Sequence, residues 1–343
     1  MAKEHGSYMT GHCVVVESVG TAVLKPFEVP RPGAGEVLVE TDYTVVSAGT
    51  ERANLVGLPN TPGTFPYYPG YCGVGRVTEA GEGVAAVAVG DRVLLTFSSG
   101  HRSHTVQRAA DLTVVRDERV ASLDAAFVPI AAMGLQGVRK IKLELGESAM
   151  VIGLGLLGMF ATQSARIAGA IPLIVTDFDP RRRELALRLG ADYAFAPNEA
   201  NLAEKIKELT YGQGPNGVVE VTGAAVALQQ ALTYVAWQGR VSLLGCTRIP
   251  DANIDFYQYV HRRGVSLIGA HTMVRPQVDS YPGYWTARDD YRALLAYLAA
   301  GRMQAQPIIS EIVSPERAPA VYGRLAEDPH PPLGIVFDWQ ELR

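Results

Sequence analysis

The sequence predicts an α/β chain: a doubly wound parallel sheet together with a second, β-rich domain. Three observations predict it. From about Gly11 to Leu112 the chain breaks into short apolar runs separated by Gly and Pro clusters. From Ala149 it changes to apolar strands alternating with helical segments, the pattern of a parallel sheet. Where that alternation begins, Val151-Ile-Gly153-Leu-Gly155-Leu-Leu-Gly158 sets G-x-G-x-x-G between a strand and a helix.

The β-rich part contains predicted strands at Val14–Val16, Val37–Glu40, Gly75–Thr78 and Arg92–Thr96, with Greek-key or barrel character. Leu123 to Leu143 reads as a helix bridging two domains. Six strands follow, at Met150–Ile152, Leu173–Thr176, Tyr193–Phe195, Val218–Val221, Val241–Leu244 and Ser266–Ile268. Six strands with intervening helices make a full dinucleotide-binding domain. A helix over Asp289–Ala300 and a strand over Gly334–Phe337 are expected to return to the first domain. The expected boundaries are therefore 1–124, 125–272 and 273–343.

A chain of 343 residues suits two domains rather than one core. The net charge of −4 gives no electrostatic reason for a nucleic-acid or anionic-membrane partner. No apolar run is long enough to span a bilayer, and Met1–Tyr8 lacks an apolar signal region, so a cytoplasmic protein is expected. Cys13, Cys72 and Cys246 lie far apart and suggest neither a disulfide framework nor structural zinc.

The glycine motif has a physical logic. Gly153 lets the chain turn off the strand, Gly155 lets a pyrophosphate approach backbone, and Gly158 lets helix and sheet pack closely. Leu156 and Leu157 open the helix, whose free N–H groups and dipole favour phosphate. Asp177 follows Gly158 by 19 residues, at the end of the second strand, where it can accept from both ribose hydroxyls of NAD and repel a 2′-phosphate. Arg181, Arg182 and Arg183 temper that, and Arg182 is kept as a cofactor contact. A helix capped by Asp179 and opened by Pro180 presents these arginines as a solvated face, so NAD is preferred to NADP. Val221-Thr222-Gly223, Gly245-Cys246-Thr247 and Gly269-Ala270 end later strands, where ligands of such sheets bind.

The order of these parts resembles the medium-chain dehydrogenase/reductase superfamily, over the whole chain from about Cys13. The residues that carry the resemblance are Pro30-Arg-Pro-Gly33 with Gly35-Glu-Val-Leu-Val39, Ala48-Gly-Thr-Glu51, Pro69-Gly-Tyr-Cys-Gly-Val-Gly75, Gly90-Asp-Arg-Val93 and Gly239-Arg-Val-Ser-Leu-Leu-Gly245. It implies a GroES-like catalytic domain, a Rossmann domain, and a homodimer or homotetramer. Zinc-dependent members place Cys before Gly-Thr-Asp, where this chain has Ala48. They carry Gly-His-Glu where it has Gly70-Tyr71-Cys72, and their third ligand falls near Val128 and Pro129. A catalytic zinc needs three protein ligands, so no zinc is expected. Ser47-Ala-Gly-Thr-Glu51 with Pro69-Gly-Tyr71 is similar to a zinc-lacking subgroup that includes bacteriochlorophyllide dehydrogenase-like and sugar or polyol dehydrogenase-like proteins.

Without zinc, alcohol oxidation needs a side-chain acid or base. Tyr71 stands in place of a ligand histidine, so its hydroxyl is expected to point into the vacated cavity, either to act on the substrate oxygen or to fill the space. His271, at the end of the sixth strand, is an equal candidate, because histidine titrates near neutrality. By resemblance Thr50 matches the hydroxyl that begins a proton relay, although the relay histidine falls at Ala53. Glu51 matches an acid behind the ligands, as a base or, more in keeping, a hydrogen-bonding support. His101 is a pocket candidate or a surface-loop histidine. Its H-x-x-H spacing to His104 points the rings to opposite faces, against a metal site. Tyr281, Tyr284 and Trp285 form an aromatic loop expected to stack on a sugar-like substrate or to make a subunit contact.

The expected function is zinc-independent, NAD(H)-dependent hydride transfer between a small secondary alcohol, of sugar, cyclitol or polyol kind, and its ketone. Three alternatives stand beside it: an enone or quinone C=C reductase, a bacteriochlorophyllide hydroxyethyl dehydrogenase, and a non-catalytic NAD-binding sensor.

Overall fold

A computed structural model describes residues 9–97, 99–249, 253–328 and 330–343. The chain divides into two compact units. One holds the chain up to Gly57, Thr61–Pro129 and Ile309–Arg343; the other holds Leu58–Asn60 and Ile130–Ile308.

The first unit begins with a hairpin, β1 (Thr10–Ser18) and β2 (Thr21–Glu28). Gly20 takes φ +76° at its turn, a conformation glycine adopts without strain. Strand β3 (Glu36–Val45) follows and runs directly into helix α1 (Ala48–Leu55). Next come β4 (Gly73–Ala80), β5 (Arg92–Leu95) and β6 (His104–Arg108). The helix expected over Leu123–Leu143 is two, α2 (Ser122–Ala125) and α3 (Val128–Ile141), and Pro129 lies in the first turn of α3. Proline at the start of a helix loses only an N–H that has no intrahelical partner.

The second unit holds six strands: β7 (Ala149–Ile152), β8 (Leu173–Thr176), β9 (Tyr193–Phe195), β10 (Gly217–Glu220), β11 (Arg240–Leu243) and β12 (Ser266–Gly269). Between and after them lie α4 (Leu156–Ile167), α5 (Pro180–Arg188), α6 (Leu202–Leu209), α7 (Ala225–Tyr234) and α8 (Ala287–Ala299). The chain then returns to the first unit through β13 (Glu311–Val313), α9 (Ala318–Glu327) and β14 (Ile335–Asp338).

In the second unit all pairings are parallel, in the order β12-β11-β10-β7-β8-β9. The strand order reverses beside β7, the position where such sheets bind ligands at the strands' C-terminal ends. The first unit's larger sheet runs β13-β14-β3-β4-β5, with β6 also on β3. Its core packs Val14, Val16, Leu55, Tyr322, Phe337 and Trp339.

The C-terminal return starts at Ile309, not at 273, and this corrects the expected boundary. The intervening segment is tied into the second unit by one buried carboxylate. Asp290 on α8 accepts from Arg139 Nε of α3 at 2.7 Å and from Arg275 Nη1 at 2.5 Å. Among the described residues, no helix is long and apolar enough to cross a membrane.

Candidate functional site

In the second unit the glycine turn is built as its spacing implies. Gly153 holds φ +93°, and a Cβ there would meet Thr222 Cγ2 at 2.6 Å. A Cβ on Gly158 would lie 1.9 Å from the Gly153 carbonyl oxygen, so only glycine lets the helix seat on the turn. At Gly155 a Cβ would meet nothing, and the space beside the backbone is open. Gly155 is the N-cap of α4 and offers no side-chain cap. The first-turn N–H groups of Leu156 and Leu157 are therefore left for an anion.

Asp177 closes this cradle. Its Oδ2 accepts from the Leu154 N–H at 2.7 Å and its Oδ1 from the Asp179 N–H at 2.8 Å. Each carboxylate oxygen keeps a lone pair for a ribose hydroxyl. The three arginines differ. Arg183 donates to the carbonyls of Asp177 and Phe178 at 2.7 and 3.0 Å, and Arg182 pairs with Asp179 at 3.9 Å. Arg181 is exposed, and among the described residues only its backbone N–H is engaged, by Asp179 at 2.8 Å.

The later strand ends crowd together. Gly223 and Gly245 meet so closely that a Cβ on Gly245 would sit 2.2 Å from Gly223 N. Buried Glu220, which the sequence analysis missed, shapes the turn at Val221-Thr222-Gly223. Its carboxylate accepts from Thr222 N at 2.6 Å, Thr222 Oγ1 at 2.5 Å and Gly223 N at 3.0 Å. Cys246 is exposed, and the Thr247 carbonyl accepts from Asn60 Nδ2 at 2.9 Å. Gly269 ends β12, and Ala270 N–H bonds the Leu243 carbonyl at 3.1 Å. His271 is exposed, and its Nδ1 accepts from the Met273 N–H at 3.2 Å, capping a short turn. Tyr281, Tyr284 and Trp285 lie elsewhere. They pack at the C-terminal end of α3, where Arg139 sits 4.1 Å over Trp285 and Lys140 4.8 Å over Tyr284.

The first unit assembles a second cluster. Glu51, in the first turn of α1, is fully buried. Its Oε1 accepts from the Ser47 N–H at 2.8 Å, and its Oε2 lies 3.1 Å from His101 Nε2 and accepts from the Tyr322 hydroxyl. His101 Nδ1 is 2.7 Å from Thr44 Oγ1, which also accepts from the Trp339 indole at 2.9 Å. His101 is thus a buried partner of Glu51 and Thr44, not a surface-loop histidine. His104 turns to Ser103 Oγ at 3.0 Å. Burial would raise the Glu51 carboxyl, but His101, Tyr322 and the Ser47 N–H outweigh it and hold the group below its ordinary range.

Tyr71 meets this network at Ser47. Its hydroxyl bonds Ser47 Oγ at 2.5 Å and the Thr50 side chain, and its ring stacks on Phe97 at 5.6 Å. The phenol is therefore held by two neighbouring hydroxyls. Burial, with Cys72 beside it, pushes the phenol far above its ordinary value, so it stays protonated.

The donors at the zinc-ligand positions do not fit zinc. Ala48 offers nothing, and Tyr71 is a protonated phenol. Cys72 is the one soft donor left at these positions, its thiol pushed well up by burial and Glu51, and a catalytic zinc needs three protein ligands. Glu51 is already committed to three donors. Among the described residues, no group of three or more His, Cys, Asp or Glu could hold a metal ion.

Ser47, Thr44, Tyr322 and Trp339 were missed from sequence. Only Ser47, next to Ala48-Gly-Thr-Glu51, had any local signal.

The model of the zinc-binding dehydrogenase family matches residues 157–286. The chain is 28% identical to an L-threonine 3-dehydrogenase of Pyrococcus abyssi over 72% of this chain and 79% of that one. It is also 28% identical to a D-guloside 3-dehydrogenase of Escherichia coli K12 over 77% and 76%. A protein of Sinorhizobium meliloti 1021 solved with NADP bound shares the fold with a TM-score of 0.81 at 22% identity, over 96% of this chain and 99% of that one. The glycine turn, its acid and the two-unit architecture agree with this likeness to the zinc-binding dehydrogenase family and to these dehydrogenases.

Proposed function

We propose that the protein is an NAD(H)-dependent oxidoreductase that interconverts a small secondary alcohol and its ketone without zinc. The observation that carries this reading is Asp177, fixed by two backbone N–H groups beside an open glycine turn. A carboxylate there suits ribose hydroxyls and repels a 2′-phosphate. The NADP-bound structural neighbour keeps the second reading alive, and exposed Arg181 is the side chain here that favours it.

When bound, the nicotinamide supplies or accepts the hydride; the chain's residues manage the proton and the binding. As hydride reaches the carbonyl carbon, negative charge grows on oxygen and a donor must meet it. Tyr71 supplies that proton, and Ser47 and Thr50 hold its hydroxyl. Glu51 fixes Ser47 through the backbone N–H, and His101 and Tyr322 hold Glu51. A protonated phenol suits ketone reduction as an acid. Alcohol oxidation runs the same proton back through the paired hydroxyls. His271, exposed beside the end of β12, is the second candidate acid.

The guloside dehydrogenase relative and the hydroxyl-rich cluster support a polyhydroxylated substrate such as a sugar or cyclitol. We read the protein as a cytoplasmic homodimer or homotetramer. The test is NADH and NADPH oxidation with a pool of keto-sugars and ketocyclitols against a pool of enones and quinones. Turnover of the ketones with NADH preferred is expected. Turnover of the enones alone would replace the reading with C=C reduction, and no turnover of either pool would leave an NAD-binding sensor.

A further inference from the structure

The second unit contains a cleft of about 550 Å³ walled by α3, α4 and α8, with Leu135, Val138, Ile167, Leu294 and Tyr297 among its apolar walls. That volume lies within the range of small-molecule sites, roughly 300–1,000 Å³. The cleft is distinct from the dinucleotide cradle. It takes in Ser164, Ile167 and Ala168 at the C-terminal end of α4, whereas the glycine turn lies at that helix's N-terminus. Twelve helical residues separate the two ends by about 18 Å.

The mouth of the cleft is cationic. Arg139 and Lys142 line it with Trp285. Arg139 shares the single carboxylate of Asp290 with Arg275, and Lys140 and Lys142 have no carboxylate partner among the described residues. Both ammonium groups instead face one aromatic ring, that of Tyr284, at 4.8 and 5.8 Å. Two like charges on one ring repel each other and are left with the face of a neutral phenol as their partner. Burial, Arg275 and Lys142 together lower the Lys140 ammonium from its ordinary value, as expected of cations lacking a counter-ion. An apolar slot lined by Lys142, with Lys140 beside it over the same Tyr284 ring, matches a ligand with an apolar body and one anionic end.

We propose that this cleft binds an amphiphilic monoanion of the fatty-carboxylate class, its chain between α3, α4 and α8 and its head group at Lys140 and Lys142. The aromatic loop Tyr281–Trp285 then has a role separate from substrate chemistry. Tyr284 holds the two lysines over the head group, and Trp285 closes the side of the slot. The proposal is independent of the hydride-transfer reading.

The test is calorimetric titration of the intact protein, saturated with NADH, with decanoate, decyltrimethylammonium and inorganic phosphate. Tryptophan fluorescence is recorded in parallel. Decanoate should bind saturably at one site, and its fluorescence change should vanish in Trp285→Phe. Lys140→Ala with Lys142→Ala should weaken decanoate by roughly tenfold and leave NADH binding unchanged. Equal binding of decyltrimethylammonium, or unchanged decanoate affinity in the double variant, would overturn the proposal as nonspecific apolar adsorption. Phosphate binding as tightly as decanoate would overturn it in favour of a simple anion site, and non-saturating decanoate would overturn it outright.

Discussion

The cofactor cradle and the Tyr71 cluster are built in opposite ways. The cradle is local. Gly153, Gly155, Gly158 and Asp177 lie within one strand–helix–strand unit, and two backbone N–H groups complete it. The Tyr71 cluster is assembled from distant chain. Glu51 and Tyr322 are 271 residues apart, and Thr44 and Trp339 are 295 apart. One site is held by backbone geometry and the other by buried side-chain hydrogen bonds. Mutation should therefore strike them differently: the cradle loses affinity, while the cluster loses turnover or stability.

The largest expected effect is on turnover. Tyr71→Phe removes the donor and keeps the ring on Phe97, so kcat for ketone reduction should fall by roughly 10²–10⁴ with NADH affinity unchanged. His271→Ala should cost much less, and full turnover in both variants would break the mechanism. Because the phenol is held far above its ordinary value of about 10, the wild-type reduction rate should show no loss from its ionisation up to about pH 10. A Tyr71-dependent decline centred near neutrality would contradict that assignment.

Next is stability. Glu51→Ala leaves His101, Tyr322 and the Ser47 N–H unpaired in the core, at a cost of about 3–5 kcal/mol in thermal or urea unfolding. The folded-state carboxyl lies below its unfolded value of roughly 4.3. Its contribution is therefore complete above that value and is lost as pH falls through the folded one. Acid unfolding should be less steep in Glu51→Gln than in the wild type. A parallel pH profile in the two would remove Glu51 from the account.

Asp177→Ala tests the local side of the comparison. Losing the carboxylate that holds Leu154 and Asp179 should weaken NADH by about 10–100-fold and narrow its advantage over NADPH, with melting temperature little changed. Equal losses for both cofactors would mean that Asp177 only braces the turn. The smallest effect is chemical. At pH 8 iodoacetamide should label exposed Cys246 and spare buried Cys72.

What was legible in the sequence follows the same division. Turn glycines, a strand end and a capped helix are dictated by neighbours in the chain, so Gly153 to Asp177 could be placed by spacing alone. His101 could not. Nothing within a few residues of it reveals that Glu51 and Thr44 take both ring nitrogens. Tyr322 is an ordinary helical tyrosine until α9 packs it onto Glu51. Strands β2, β6 and β13 escaped notice because their partly exposed residues give weak apolar alternation. The boundary near 273 failed for a related reason. Asp290 and Arg275 carry no local mark of their pairing, yet it binds that segment to the second unit.

The central claim is that a protonated tyrosine does the work of a metal in this chain. The most direct measurement is the rate of NADH-dependent ketone reduction by one preparation before and after exhaustive chelation, with metal content determined on the same samples. The account predicts an unchanged rate at a metal content far below one ion per chain. A rate that falls on chelation and returns with added zinc would contradict it.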